Sequence, residues 1–198
     1  MQQSKVLILF FHPRFENSKA NKVLAETLLT EPDFTFSDLY ELYPDFNIDV
    51  KAEQAKLESH DIIVWMHPFY WYSCPPLMKQ WIDLVLAFRW AYGPGGEALK
   101  GKKILNLITS GGGFDAYQHG GRNRFTYREY LIPFEQTATL CHMHYLPPFI
   151  VPGAPRLEQG ELLNYADQIT NMLRTLSAGR IDIDELQQHD YLNSYTFQ

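Results

Sequence analysis

Three short apolar runs, VLILFF at residues 6–11, DIIVWM at 61–66 and ILNLIT at 104–109, each stop abruptly in a loop of small, polar or aromatic residues. Runs this short, without polar alternation and rich in β-branched and aromatic side chains, fit strands buried on both faces. Between them the spacing turns helical. Ser18 is a natural cap for a helix with Ala20, Val23, Leu24 and Leu28 on one side. Pro75 and Pro76 open another over residues 77–87. An edge strand is predicted over 34–40, a loop over 42–48, a short polar helix over 50–59 and a Gly-rich loop over 90–102. Residues 114–127 read as irregular. A helix follows over 129–140, bent or started late by Pro133, then a Pro-interrupted fifth strand over 142–151 and a closing helix over 158–176. Strands alternating with helices require crossover connections and therefore a parallel sheet. The expected fold is an α/β three-layer sandwich with five parallel strands in the order 2-1-3-4-5, the flavodoxin-like arrangement. It forms one domain over residues 1–177, and residues 178–198 are a polar tail that the core does not need.

Composition narrows the function classes. A formal net charge of -6, with no block of Lys and Arg, argues against a nucleic-acid partner. The two cysteines, Cys74 and Cys141, lie far apart and outside any C-x-x-C spacing, which fits a reducing compartment. No apolar run reaches the roughly 18 residues of a membrane span, and the polar start has no signal-peptide pattern. The expectation is a soluble cytoplasmic protein without a direct membrane span. Aromatic residues make up 15% of the chain, enough to line a pocket for a flat ligand as well as a core.

In an open α/β sheet, ligands bind beyond the carboxyl ends of the strands where the strand order switches. That point gathers the loops after the first, third and fourth strands, and each has chemistry suited to a flavin nucleotide. The first, HPRFENSKAN, ends at a helix N-terminus, whose free N–H groups and positive dipole end favour a phosphate. His12, Ser18 and Asn21 add donors there, Lys19 adds charge, and Ala20 lies in the first turn. Taken alone, Ser18 is equally well a plain helix cap. The second, HPFYWYSCPP, places Phe69, Tyr70, Trp71 and Tyr72 in a strand-to-helix turn, where they cannot all face inward. They cover a flat ring, an interface or the core. The third, Thr109, Ser110, Gly111, Gly112 and Gly113, lets the backbone approach a ligand closely. It is neither a dinucleotide fingerprint nor a phosphate-binding P-loop. No loop is specific alone; their succession on neighbouring strand ends is the stronger signal. Cys74 reads as a packed thiol, and His142 and His144 as structural residues, since no third metal ligand accompanies them. No metal site is expected. The absence of a G-x-S-x-G elbow leaves acyl transfer without support.

The stretches HPFYWYSCPPLMKQWIDLVL, WAYGPGGEALKGK and TSGGG resemble the flavodoxin-like NAD(P)H:quinone oxidoreductases. With LYELYPDFNID and YLPPF added, the chain looks most like the ancillary oxidoreductase subunits of glutathione-regulated potassium efflux systems, over about residues 5–175. The resemblance implies FMN, with FAD as the alternative, and two-electron transfer from NAD(P)H to a quinone or similar electrophile. It implies a homodimer, with residues 77–88, Trp90 and Tyr92 as its surface. It also implies docking on the cytoplasmic domain of a potassium efflux transporter, which would bring the protein to the inner membrane as a peripheral subunit. His12 and residues 18–21 match the flavin phosphate and ribityl contacts, residues 69–72 the segment along the isoalloxazine, and residues 109–113 its pyrimidine side. Tyr117 matches a tyrosine that stabilises charge during hydride transfer. The partner histidine of the mammalian enzymes, six positions on, is Asn123 here; His119 is nearby but out of register, and is carried with Tyr117 as a catalytic candidate.

Overall fold

A computed structural model describes residues 3–197. Strands β1 (Val6–Phe10), β2 (Phe34–Asp38), β3 (Ile62–Pro68), β4 (Lys103–Thr109) and β5 (His144–Tyr145) form a parallel sheet in the order β2-β1-β3-β4-β5, and β6 (Phe149–Val151) also pairs with β4. The expected order is present. The single fifth strand is not: Pro147 and Pro148 lack an N–H to donate to the ladder, so it divides into β5 opposite Lys103 and Ile104, and β6 opposite residues 107–109.

Side-chain period two splits β1 between the faces. Val6, Ile8 and Phe10 meet helices α1 (Lys19–Leu29) and α7 (Gln159–Ser177), while Leu7, Leu9 and Phe11 meet α3 (Val50–Glu58), α4 (Pro76–Val85) and α6 (Ile132–Leu140). Two helical segments differ from expectation. Residues 39–42, read as strand end and loop, form the short helix α2 (Leu39–Leu42), because the Asp38 carboxylate accepts hydrogen bonds from Tyr40 and Glu41 N–H. The helix expected over 129–140 divides at Leu131 into α5 (Tyr127–Tyr130) and α6; Pro133 sits in the first turn of α6, where its missing N–H costs nothing.

The tail is not free. Its helix α8 (Ile183–Leu186) and a 3₁₀ turn at Leu192–Ser194 bring Leu186 and Leu192 to full burial in the α1/α7 core. The Asn193 side chain accepts from Ile150 N–H at 2.9 Å and donates to Ile150 C=O at 2.8 Å. Leu192 N–H donates to Pro148 C=O at 3.0 Å. The tail therefore runs beside β6 and takes up its free polar groups.

Candidate functional site

The carboxyl ends of β1, β3 and β4 open onto a cleft of about 510 Å³. It is lined by His12, Arg14 and Asn17 through Asn21 from the first loop, Pro68, Phe69 and Tyr70 from the second, and Thr109, Ser110 and Gly111 from the third. Helix α1 begins at its floor. The Ser18 hydroxyl accepts from Asn21 N–H at 3.3 Å and from the Asn21 side-chain amide at 2.9 Å, and that amide reaches the Thr109 hydroxyl at 3.1 Å. Cap, helix and third loop are thereby tied into one unit. The N–H groups of Lys19 and Ala20 have no acceptor among the described residues. Two free donors at the start of an 11-residue helix, beside Ser18, Asn21 and His12, are a donor set suited to a phosphate. His12 is buried, its Nδ1 accepts from Arg14 N–H at 3.2 Å, and burial holds its pKa below the usual histidine value. The Lys19 ammonium donates to Leu157 C=O at 3.0 Å, which draws in a wall that sequence reading missed, residues 154–157. Ala154 and Pro155 line the cleft.

The second loop turns sharply. Ser73 N–H returns to Tyr70 C=O at 2.9 Å, and the two residues between, Trp71 and Tyr72, have φ of 49° and 62°. That left-handed backbone is rare for large aromatic residues and costs of order 1–2 kcal/mol at each. It leaves Phe69 buried and directs the other rings outward. Tyr70 lines the first cleft, Tyr72 a second one, and Trp71, 91% exposed, neither.

The second cleft, about 550 Å³, shares Gly111 with the first. Tyr72, Gly112, Gly113, Asp115, Ala116, Tyr117, Arg122, Asn123 and Arg156 complete it. Tyr117 stacks on Tyr127 with ring centroids 4.0 Å apart and meets Phe69 edge-on at 5.6 Å. A Cβ on Gly112 would stand 2.7 Å from the Tyr117 ring, so glycine at 112 makes room for that ring. Burial raises the Tyr117 pKa, and the Ser110 side chain partly opposes it; the phenol stays protonated near neutrality. His119 is elsewhere: its imidazole is 72% exposed, 3.4 Å from Glu129, and lines neither cleft. Asn123 does line the second cleft, with its side-chain oxygen 3.5 Å from the Tyr72 hydroxyl.

Behind the second loop lies a buried polar chain. The Pro68 carbonyl only accepts, so His67 Nδ1 at 3.0 Å carries the proton and Nε2 accepts from Asn106 Nδ2 at 2.9 Å. Asn106 Oδ1 in turn accepts from Tyr145 OH at 2.7 Å. Burial pushes the His67 pKa down to about 4, which keeps this chain neutral and intact at physiological pH. His67, Asn106 and Tyr145 line neither cleft, but the chain ends on the carbonyl of Pro68, which lines the first and leads into Phe69.

The flavodoxin-like fold family matches residues 4–173. The glutathione-regulated potassium-efflux system ancillary protein KefG of Salmonella typhimurium is 46% identical over 165 residues, covering 83% of this chain and 90% of the relative. The general stress protein 14 of Treponema denticola, crystallised with FMN, superposes with a TM-score of 0.83 at 39% identity, over 87% of this chain and 99% of that one. An NADPH-quinone reductase from P. pentosaceus superposes with a TM-score of 0.77 at 28% identity, over 87% and 97%. Sheet order, the matched span and these relatives agree: this chain belongs to the flavodoxin-like fold family, together with the ancillary proteins of glutathione-regulated potassium efflux.

Proposed function

We propose that this protein binds FMN across the two clefts and catalyses two-electron transfer from NAD(P)H to a quinone or similar electrophile. The observation that carries the reading is the pairing of a phosphate-type donor set, at the start of α1, with an aromatic-walled cleft that continues from it past Gly111. His12, Ser18 and Asn21, with the N–H groups of Lys19 and Ala20, would hold the phosphate and ribityl chain; Phe69 and Tyr70 and the backbone of residues 109–113 would flank the ring. FMN is preferred over FAD because the Treponema relative holds FMN. Held there, FMN would supply the hydride chemistry. The protein's own part is placement and proton management. Tyr117, protonated and held against Tyr127, offers an O–H where charge develops, and Tyr72 and Asn123 frame the space left for the substrates. His119 would have to swing from Glu129 to take part, so Tyr117 carries this role.

The visible spectrum of purified protein reconstituted with FMN tests the reading. Flavin absorbance that is retained on gel filtration and bleached by NAD(P)H is expected; protein that stays colourless refutes it. The 46% identity with efflux ancillary proteins supports a second, compatible reading, docking on the cytoplasmic domain of a potassium efflux transporter at the inner membrane. A pull-down with that domain, using a Tyr117→Phe variant, separates the two, since docking should survive loss of turnover. A homodimer remains part of the proposal. Of the helix expected to form its surface, Leu77, Met78, Trp81 and Val85 are core, and the exposed Leu84 and Phe88 are what α4 and the turn after it offer a partner.

A further inference from the structure

The charges around the two clefts run against the charge of the whole. The chain is acidic, with a net charge of -6. Yet the charged residues lining the clefts are Arg14 and Lys19 in the first, and Arg122 and Arg156 with Asp115 in the second, four cations against one acid. The first pair sits beside the start of α1, where the proposed flavin phosphate would lie. The second pair lines the other cleft. Among the described residues, no carboxylate lies within 4.0 Å of either the Arg122 or the Arg156 guanidinium, whereas Arg128 and Arg174 are paired with Glu135 and Glu31.

Arg156 is exposed and anchored at one point. Gly153 adopts φ of 63°, Arg156 N–H returns to its carbonyl at 2.8 Å, and the guanidinium folds back to donate from Nη1 to Gly111 C=O at 3.2 Å. Its Nη2 lies 3.1 Å from where a Cβ on Gly153 would stand, so a glycine there leaves the arginine its place. One N–H of the fork holds the glycine loop, the other side of the guanidinium lies over Gly153, and the residue lines the second cleft. Arginine forks match phosphate, sulfonate and carboxylate groups, and a concave wall concentrates their field.

We infer that a substrate entering the second cleft carries an anionic group beyond the diphosphate that NADH and NADPH share, received between Arg122 and Arg156 and separate from the flavin phosphate. This rests on the reading of the second cleft as the substrate side of a flavin site. Two sources share the chemistry: the 2′-phosphate that distinguishes NADPH from NADH, and an acid group on the electron acceptor. Exposed guanidiniums act partly through long-range attraction, so the preference weakens as salt rises.

The experiment uses the FMN-reconstituted full chain, unaltered and as Arg122→Gln, with Arg156→Lys as the variant that keeps the charge but loses the fork. One arm compares kcat/KM for NADPH and NADH with a neutral quinone; the other compares a sulfonated with a neutral naphthoquinone at fixed donor. A binding readout accompanies them, titration of 2′,5′-ADP against 5′-AMP followed by intrinsic fluorescence. In one arm the unaltered protein should favour the charged member by about tenfold, and Arg122→Gln should bring that ratio close to one. Arg156→Lys should fall between. The arm that responds identifies the source. Equal treatment of charged and neutral members in both arms, or an unchanged ratio in Arg122→Gln, overturns the inference while flavin binding stands. Protein that fails to take up flavin yet prefers 2′,5′-ADP through Arg122 overturns the oxidoreductase reading and leaves the anion site.

Discussion

Asn106 is the joint of the buried chain behind the second loop, and replacing it by leucine, of similar volume, isolates the polar contribution. The Asn106→Leu protein leaves two groups without partners in a fully buried setting, His67 Nε2 and the Tyr145 hydroxyl, which the amide holds at 2.9 and 2.7 Å. Each orphaned buried group costs about 1–3 kcal/mol, so a loss of about 3 kcal/mol is expected. For a chain of this length that lowers Tm by about 6–12 °C. Tyr145→Phe alone removes one hydroxyl, keeps a ring beneath the Arg128 guanidinium 5.8 Å away, and should cost about 1 kcal/mol. The diagnostic is the double variant. With the hydroxyl gone, Asn106→Leu orphans only the histidine nitrogen, so Asn106→Leu/Tyr145→Phe should be about 1 kcal/mol more stable than Asn106→Leu. Urea unfolding, followed by far-UV circular dichroism and tryptophan fluorescence with shared m-values, measures all three. A double variant less stable than either single one, by the sum of their losses, would refute the chain as described.

Other outcomes follow from the same geometry. His67 titrates near pH 4 when folded but in the ordinary histidine range, about 6.5, when unfolded, so the unfolded chain binds the extra proton between these values. Stability should therefore fall by up to about 3 kcal/mol as pH drops from about 6.5 to 4, with no further contribution below, and His67→Gln should flatten that stretch of a pH-dependent urea series. Gly112→Ala puts a methyl 2.7 Å from a Tyr117 ring that Tyr127 backs at 4.0 Å; kcat measured at saturating FMN should fall about tenfold, and an unchanged kcat would show that Tyr117 is not held in the working position. Ser18→Ala removes the cap of α1 and one contact to Asn21, costing about 1 kcal/mol of stability and weakening FMN in a fluorescence titration; tight FMN binding by this variant would move the phosphate elsewhere.

The parts readable from sequence are those written in local pattern. The apolar runs at residues 6, 61 and 104 gave β1, β3 and β4 because continuous burial on two faces leaves no polar alternation, and Ser18 marked the start of α1 by side-chain chemistry alone. Those landmarks were enough to bring the three loops to one cleft. What escaped was assembled from distance. Ala154, Pro155 and Arg156 reach the clefts only because Ser110 and Gly112 pair with the backbone after β6. Tyr127 stacks on Tyr117 across an irregular segment with no periodicity to read. Arg122 and Asn123 lie in that same segment, where turns rather than repeats decide which side chain faces inward. The tail looked dispensable because its buried leucines, 186 and 192, are separated by polar residues, and nothing nearby in sequence announces Ile150 as a partner for Asn193.

That last pairing has a consequence for how the molecule behaves in a crowd. β6 joins β4 along one side, and on its other side the N–H and C=O of Ile150 meet a side-chain amide instead of another strand. An amide side chain carries the same donor and acceptor as a peptide group, so Asn193 works as a one-residue counterfeit of a neighbouring strand. It closes a border at which a second molecule could otherwise add itself by backbone pairing. Substitution by leucine would fill the space and reopen the border, and the visible result would be self-association that grows with protein concentration.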